Sequence, residues 1–257
     1  MCGICGVFDY GGKAPVDGKT IRFMCDTMVH RGPDDEGCHV DGCVGLGHRR
    51  LSIIDLSERG RQPMVNEDGS VWITYNGEVY NFMELRRELE GKGYVFRSET
   101  DTEVLLRLYE EEGFDFVKRL RGMFAFAVWD SKKKTLFLAR DRAGQKPLFY
   151  SDVDGRFSFA SEINAILALP GFEKKINLEA LHYYLTHVYF YIPYPHTLFT
   201  GIRKLPPAHC MIVTEKGAEI KRYWSLDYTK KRKASKKQFI EEYKNLLKEA
   251  VVMRQIS

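Results

Sequence analysis

The chain has 257 residues, of which 44% are hydrophobic and 29% are charged, with a formal net charge of +4. This composition is typical of a soluble globular protein with a sizeable core, and no apolar run approaches the roughly 18 residues of a membrane-spanning helix. The six cysteines are too sparse for a disulfide scaffold and no signal peptide opens the chain, so we expect a reduced, cytoplasmic protein that does not bind membranes. Membrane-spanning and disulfide-stapled secreted proteins are thereby excluded.

The positive charge is concentrated at the end of the chain. Residues 229–257 contain nine basic and three acidic residues, a balance of +6, which leaves residues 1–228 at −2. No aromatic residue interleaves with the lysines, so we interpret the run as a solvated linker and expect no nucleic-acid binding. Ser235 and Gln238 form a capping-box pattern before an amphipathic helix. The sequence therefore predicts one domain over 2–228 and, over 229–257, a basic linker with the start of a truncated or absent second domain.

Hydrophobic periodicity and turn residues predict the elements of the first domain. In chain order they are a strand at 2–9, a helix at 19–29, a polar loop at 30–37, strands at 44–52 and 70–75, helices at 81–90 and from 100 or 101, strands at 123–129 and 135–139, strands at 148–151 and 156–159, helices at 162–168 and 178–187, and strands at 210–214 and 220–223. Hairpins and helices come in blocks without steady alternation, which favours an α+β architecture.

Cys2 is the first candidate for chemistry. Once Met1 is removed, a thiol nucleophile and a free α-amine belong to one residue, and an amine that titrates near pH 8 can accept the thiol proton. Position alone is weak evidence, because a small cysteine in a buried strand is common. A zinc site formed by Cys2, Cys5, Cys38 and Cys43 is a second alternative, although Cys5 lies in a strand-like run rather than in a knuckle turn.

A series of motifs in one order gives Cys2 its context. They are Met1–Ile4 (MCGI), His30–Asp34 (HRGPD), Gly47–Asp55 (GHRRLSIID), Tyr75–Asn81 (YNGEVYN), Ser98–Glu103 (SETDTE), Arg121–Phe126 (RGMFAF), Arg140–Leu148 (RDRAGQKPL) and Gly201–Pro207 (GIRKLPP). Together they resemble class II glutamine amidotransferases, and the last three narrow the resemblance to glutamine-hydrolysing asparagine synthetases. The similarity extends over nearly the whole chain.

The resemblance implies the N-terminal-nucleophile hydrolase fold, an αββα sandwich of two antiparallel sheets between helical layers. It implies that Cys2 attacks the side-chain amide of L-glutamine and forms a glutamyl thioester. Asn76 and Gly77 are expected to donate to the oxyanion from a tight turn. A plain Asn-Gly turn is the alternative for these two residues.

Recognition of free glutamine needs two opposite charges. The resemblance assigns the α-carboxylate to Arg50 and the α-ammonium group to Asp101, with backbone groups of Leu51, Ser52, Ile53 and Ile54 lining the pocket and Glu78 near the amino end. Two alternatives stay open at this point. Arg49 is adjacent to Arg50, and Asp101 is also a candidate helix N-cap.

The leading function is therefore glutamine hydrolysis to glutamate and ammonia, with the ammonia passed to an ATP-dependent asparagine synthetase domain or subunit. Residues 1–257 contain no Gly-rich phosphate loop, so we expect no cofactor or metal here, and ATP and magnesium only in the absent synthetase domain. A homodimer is compatible with the resemblance. The alternatives are a glutaminase-like subunit or regulatory glutamine-binding module that serves another acceptor, and a different N-terminal-nucleophile amide hydrolase.

Overall fold

The structure is a computed structural model that describes residues 1–12, 15–52, 55, 57–187 and 191–256. The described residues form twelve strands: β1 Gly3–Asp9, β2 Asp35–Asp41, β3 Val44–Arg50, β4 Met64–Val65, β5 Val71–Val79, β6 Gly122–Asp130, β7 Thr135–Arg140, β8 Phe149–Val153, β9 Arg156–Ala160, β10 Arg203–Lys204, β11 His209–Thr214 and β12 Gly217–Arg222. They also form six α-helices: α1 Gly18–Asp26, α2 Phe82–Gly91, α3 Asp101–Glu112, α4 Ile163–Leu167, α5 Leu178–Thr186 and α6 Lys236–Met253.

The strands form two six-stranded sheets in which every pairing is antiparallel. The first sheet has the order β10-β8-β9-β1-β3-β2 and the second β12-β11-β7-β6-β5-β4. The amino-terminal strand β1 is therefore central in the first sheet, between β9 and β3. Its first residues lie at the end of the sandwich instead of on a free edge.

Three buried clusters define four layers. Ile4 and Leu46 of the first sheet pack against Trp129 and Leu138 of the second, which closes the space between the sheets. The outer face of the first sheet packs on α1 and α4, and the outer face of the second packs on α2 and α3. The predicted α+β class and the αββα layering are confirmed.

Strands β2 and β5 are among those that differ from their predicted limits. The predicted polar loop at 30–37 runs into strand β2, which lies at the edge of the sheet and in which Cys38 and Val40 are exposed and the other residues are partly buried. Such an edge strand lacks the apolar periodicity by which strands are recognised. Strand β5 continues past Tyr75 to Val79, so Asn76 and Gly77 lie in a strand and the predicted tight turn is wrong.

The helix caps differ in part from what the sequence suggests. The helix predicted at 81–90 begins after Asn81, but the Asn81 side chain makes no capping bond. It instead accepts from the Arg121 N–H and donates to the Arg119 carbonyl. Thr100 is the N-cap of α3, because its side chain accepts from the Glu103 N–H. The Ser235 capping box with Gln238 is confirmed.

Helix α6 contains no buried residue and contacts the rest of the chain near its carboxyl end. Arg121 forms an ion pair of 3.3 Å with Glu249, and the Arg254 guanidinium lies 4.7 Å from the centre of the Tyr80 ring. Within the described ranges, none of the helices combines the length and the apolar character that crossing a membrane requires. The division at residue 228 stays a prediction.

Candidate active site

The pleat of the strands directs two candidate residues into one end of the space between the sheets. Side chains two residues apart share a face of a strand, and Ile4 of β1 belongs to the inter-sheet cluster. Cys2 precedes Ile4 by two residues and therefore shares its side of the sheet. The same alternation on β3 relates Leu46 of the cluster to Arg50, and Gly3 pairs with Arg49 across the two strands. Cys2 and Arg50 are thus brought together by strand register.

A cavity of about 380 Å³ opens at this end of the sandwich, and we call it the Cys2 cavity. Its described lining residues are Met1, Cys2, Arg50, Leu51, Gly60, Gln62, Tyr75, Asn76, Gly77, Glu78, Thr100, Asp101, Thr102, Met123 and Lys146. Residues from the amino terminus, β3, β5 and the start of α3 therefore meet around one space. Their charged groups include two cations and two carboxylates, which suits a zwitterionic ligand.

Cys2 is held at the wall of this cavity by its neighbours. Its Sγ lies 3.4 Å from the Leu51 N–H nitrogen and 3.7 Å from the Leu51 carbonyl oxygen, and the Arg31 Nε donates to the Cys2 carbonyl at 3.0 Å. Burial raises the pKa of the Cys2 thiol, whereas the Leu51 backbone and the charges of Arg50 and Lys146 oppose that rise. The thiol therefore needs a nearby base to become a nucleophile at neutral pH.

Asn76 presents an unsatisfied donor. Tyr75 packs in the cluster between the second sheet and helices α2 and α3. The side chain of the adjacent Asn76 therefore faces the space between the sheets, where it is 1% exposed. Its Nδ2 is buried and has no hydrogen-bond partner among the described residues. An unpaired buried amide costs free energy unless a ligand completes it, which makes this nitrogen a candidate oxyanion donor.

Gly77 supplies a second donor on the same strand. The N–H of Tyr75 binds Gln62 Oε1 at 2.7 Å and that of Val79 binds Asp101 Oδ2 at 3.0 Å, so both point away from β6. Amides two residues apart point to the same side of a strand, which directs the Gly77 N–H between them, toward the cavity. Glycine is needed here because a Cβ would lie 2.3 Å from the Met123 carbonyl oxygen of β6.

The two adjacent arginines lie in different surroundings. Arg49 pairs with Asp26 at 2.5 Å and Glu36 at 2.9 Å, outside the cavity. Arg50 is buried in the cavity wall, and its guanidinium donates to the carbonyls of Asp55 and Ser57. Arg50 therefore has the position that a carboxylate-binding residue requires.

Gly60 makes room for Arg50. A Cβ at Gly60 would lie 2.3 Å from Arg50 Nη2, closer than real Cβ contacts allow. The absence of a side chain at this position leaves space for the guanidinium beside the 3₁₀ turn at Glu58–Gly60.

Asp101 lies opposite, at the first turn of α3. Because Thr100 caps the helix, the Asp101 carboxylate is turned to the interior, where it accepts from the Tyr75 hydroxyl at 2.6 Å. The side chain is almost completely buried, and this burial raises the pKa of Asp101 to about 6, against the lowering effect of the Tyr75 and Val79 donors. The alternative of Asp101 as the N-cap is wrong.

The remaining predicted binding residues divide three ways. Leu51 and Glu78 line the cavity. The Ser52 N–H donates to Asp34 at 2.8 Å, and Ser52 lies outside the described lining. Ile53 and Ile54 lie outside the described residues, so their assignment stays a prediction.

Three residues were not singled out from the sequence. Gln62 joins β5 to α3 by accepting from the Tyr75 N–H and donating to Thr102 at 3.1 Å. Arg31 holds the Cys2 main chain, and Lys146 places a cation in the wall. Arg31 and Lys146 belong to the motifs quoted above, but sequence spacing gave no signal that either approaches Cys2.

The alternative zinc site is not supported. Cys5 packs against α1 on the outer face of the first sheet, where its Sγ lies 3.6 Å from the Sγ of Cys25. Cys43 instead packs against the cluster between the two sheets. In the described ranges, no group of three or more Cys, His, Asp or Glu side chains has the geometry of a metal site.

Comparisons with known proteins agree with this geometry. The family model described as "Glutamine amidotransferase domain" matches residues 1–224. The chain is 39% identical to asparagine synthetase (glutamine-hydrolysing) 3 of Bacillus subtilis, over 100% of this chain and 42% of that protein. It is 34% identical to the amidase chyE of Penicillium rubens, over 99% of this chain and 39% of that protein. The chain thus spans about two fifths of the length of these curated relatives.

A solved structure shows the same fold. The glutamine phosphoribosylpyrophosphate amidotransferase of B. subtilis superposes with a TM-score of 0.65 at 19% identity, over 87% of this chain and 49% of that one. The two-sheet sandwich therefore has the fold of that amidotransferase. From the family match and this fold together, the chain belongs to the class II glutamine amidotransferase domain family.

Proposed function

We propose that this domain hydrolyses L-glutamine to L-glutamate and ammonia through a thioester on Cys2. The observation that carries the proposal is the Cys2 cavity itself. It combines a thiol, an unpartnered amide donor at Asn76, a buried guanidinium at Arg50 and a buried carboxylate at Asp101.

The proposed reaction begins with removal of Met1, whose side chain lines the cavity. The Cys2 thiol passes its proton to the freed α-amine, and sulfur attacks the side-chain carbonyl carbon of glutamine. The C–N bond then breaks, and the protonated α-amine returns the proton to the departing ammonia. Water hydrolyses the C–S bond and releases glutamate and the thiol.

The oxyanion of each tetrahedral intermediate is proposed to accept from Asn76 Nδ2 and the Gly77 N–H. Both donors are fixed by strand β5, so they need not reorganise as charge develops. The interaction is stronger in the transition state than with the neutral amide, which is the requirement for a lower barrier.

Opposite charges are proposed to select a free amino acid. Arg50 binds the α-carboxylate and Asp101 the α-ammonium group, with Leu51 and Glu78 beside them. Backbone groups of Ser52, Ile53 and Ile54 complete the predicted set. A substrate without both charges would leave Arg50 or Asp101 unpaired in a buried site, which is unfavourable.

The fate of the ammonia is a separate proposal. Relatives named as glutamine-hydrolysing asparagine synthetases are more than twice as long, which supports asparagine formation by an ATP-dependent domain or subunit that follows α6. ATP and magnesium would be bound there. The similarity to the P. rubens amidase supports a second candidate function, in which this domain is a glutaminase-like subunit that serves a different acceptor. We also propose a cytoplasmic setting, because all six cysteines are free thiols.

Glutamate release in the absence of ATP tests the hydrolysis. Protein with a processed amino terminus, verified by intact mass, is expected to release glutamate and ammonia in equal amounts. The Cys2→Ala variant and a fraction that retains Met1 should be inactive, whereas Cys38→Ala, which alters an exposed thiol, should match the wild type. Turnover by Cys2→Ala would disprove the nucleophile assignment.

A further inference from the structure

The loop that follows β7 is fixed by an unusual number of buried hydrogen bonds. The fully buried Asp141 carboxylate accepts four backbone N–H groups: Phe124 at 3.2 Å, Ala143 at 3.1 Å, Gln145 at 2.9 Å and Lys146 at 2.9 Å. Arg140 donates to three carbonyls, each at 2.7 Å: Lys146, Gly144 and Leu205. Seven bonds thus determine where the Lys146 side chain begins.

That side chain is 6% exposed and lines the Cys2 cavity. Its Nζ contacts Met1 Sδ at 3.5 Å. A thioether sulfur is a weak acceptor, so this contact compensates little for the burial of an ammonium group. Burial accordingly lowers the pKa of Lys146. Removal of Met1 would take even the thioether away.

The charged groups around Lys146 identify what it can stabilise. Glu78 on β5 raises the pKa of Lys146 and Arg31 lowers it. The Asp141 carboxylate already accepts hydrogen bonds from the four backbone amides. Cys2 can acquire negative charge in the same cavity, and Lys146 favours its ionised form together with Arg50. The buried cation therefore shares a cavity with the proposed nucleophile.

We propose that Lys146 is a positioning residue for the nucleophile, whose ammonium group stabilises the Cys2 thiolate and keeps the freed Cys2 α-amine neutral. A cation favours an anion and disfavours a second cation nearby, so this one charge promotes ionisation of the thiol and keeps the amine unprotonated, and therefore able to accept the thiol proton. The proposal rests on the proposed hydrolysis by Cys2. It adds a group that the amine-and-thiol mechanism alone does not contain.

Alkylation of Cys2 tests the charge directly. Met1-processed protein is treated with iodoacetamide from pH 6 to 10, and modification of Cys2 is quantified by peptide mass spectrometry. In Lys146→Met we expect the apparent pKa of Cys2 to rise by about one unit, with about tenfold slower alkylation at pH 7. Lys146→Arg should stay within about twofold of the wild type, because it keeps the charge.

The exposed Cys38 is the internal standard. Its alkylation should be equal in all three proteins if each is folded, and a variant that fails this criterion is replaced by Lys146→Leu or Lys146→Gln. Superimposable Cys2 profiles for the wild type and Lys146→Met would overturn the proposal. Equal slowing by Lys146→Arg and Lys146→Met would also overturn it, since the effect would then come from packing.

Glutamate release separates this proposal from the proposed function. In Lys146→Met the acidic limb of the kcat/KM profile should move up by about one pH unit, because the α-amine binds its proton more tightly. A wild type that alkylates with the expected profile but releases no glutamate would contradict the proposed hydrolysis and leave the Lys146 effect intact. Turnover with an unchanged acidic limb and unchanged alkylation would contradict only the role of Lys146.

Discussion

The Tyr75 hydroxyl donates a 2.6 Å hydrogen bond to the Asp101 carboxylate, which joins the middle of β5 to the first residue of α3. Both side chains are buried, and both line the Cys2 cavity. The bond favours the ionised carboxylate, but burial outweighs it, and the pKa of Asp101 is about 6. The proposed ammonium-binding group therefore titrates close to physiological pH.

Glutamine binding should weaken below pH 6. Protonation of Asp101 removes the charge opposite the α-ammonium group, so the Kd for glutamine of a Cys2→Ala protein should rise about tenfold between pH 7 and pH 5. Burial lowers the pKa of His48 to about 4, so that group does not titrate in this range. Isothermal titration calorimetry measures the Kd. A Kd that is flat down to pH 5 would show that Asp101 does not bind the ammonium group.

Tyr75→Phe should raise the midpoint pH at which glutamine binding weakens. Loss of the donor raises the pKa of Asp101 further, so binding in the Cys2→Ala background should already be weakened at pH 7. Tyr109→Phe is the matched control, because the Tyr109 hydroxyl bonds the Asp130 carboxylate at 3.0 Å away from the cavity. It should cost a similar roughly 1 kcal/mol of stability and leave the midpoint unchanged. A shift of the same size in both variants would indicate a general loss of packing.

Asp101→Asn should stabilise the fold at neutral pH while it weakens glutamine binding. The folded pKa of Asp101 is raised above its unfolded value, so the buried carboxylate destabilises the protein above pH 6 and is protonated in both states below pH 4. The amide should increase the free energy of unfolding by roughly 1 to 3 kcal/mol at pH 7.5. Thermal denaturation at several pH values should show the gain in Tm shrinking toward pH 4. A loss of Tm at pH 7.5 would contradict the assigned cost of ionisation.

Asn76→Ala should lower kcat by about 10²-fold with a smaller change in KM, because the oxyanion interaction forms chiefly in the transition state. Asn66→Ala is the control, since Asn66 is also buried but bonds Glu110 and the Val71 N–H. It should reduce stability without this loss of kcat. Steady-state glutaminase kinetics measure both variants. An Asn76→Ala enzyme with wild-type kcat would remove Asn76 from the oxyanion site.

Gly60→Ala should displace Arg50 and raise the KM for glutamine by about tenfold, since the added methyl group occupies the place of Nη2. Gly91→Ala provides the comparison, because a Cβ at Gly91 meets no atom within 4 Å. It should leave the KM unchanged. Equal KM values for the two variants would mean that Arg50 can move without consequence for binding.

The sequence by itself determined the class of fold and identified Cys2 as the candidate nucleophile. Two nearly continuous apolar runs at 123–129 and 135–139 identified the central hairpin, since these strands are buried on both faces of the second sheet. The ordered motifs identified the family because they are local. Local periodicity did not predict the polar edge strand β2 or the extension of β5 through Asn76 and Gly77. Pairing with neighbouring strands stabilises both segments.

Only the tertiary structure decided which side chains meet. Arg49 and Arg50 are adjacent in sequence, and the strand pleat turns Arg49 toward Asp26 and Arg50 into the cavity. Thr100 rather than Asp101 caps α3, which leaves the carboxylate for the cavity. Lys146 lies 144 residues from Cys2 along the chain and lines the same cavity only because the fold brings the loop after β7 next to the amino terminus. Electrostatic effects depend on distance and burial, and neither is encoded in local sequence spacing.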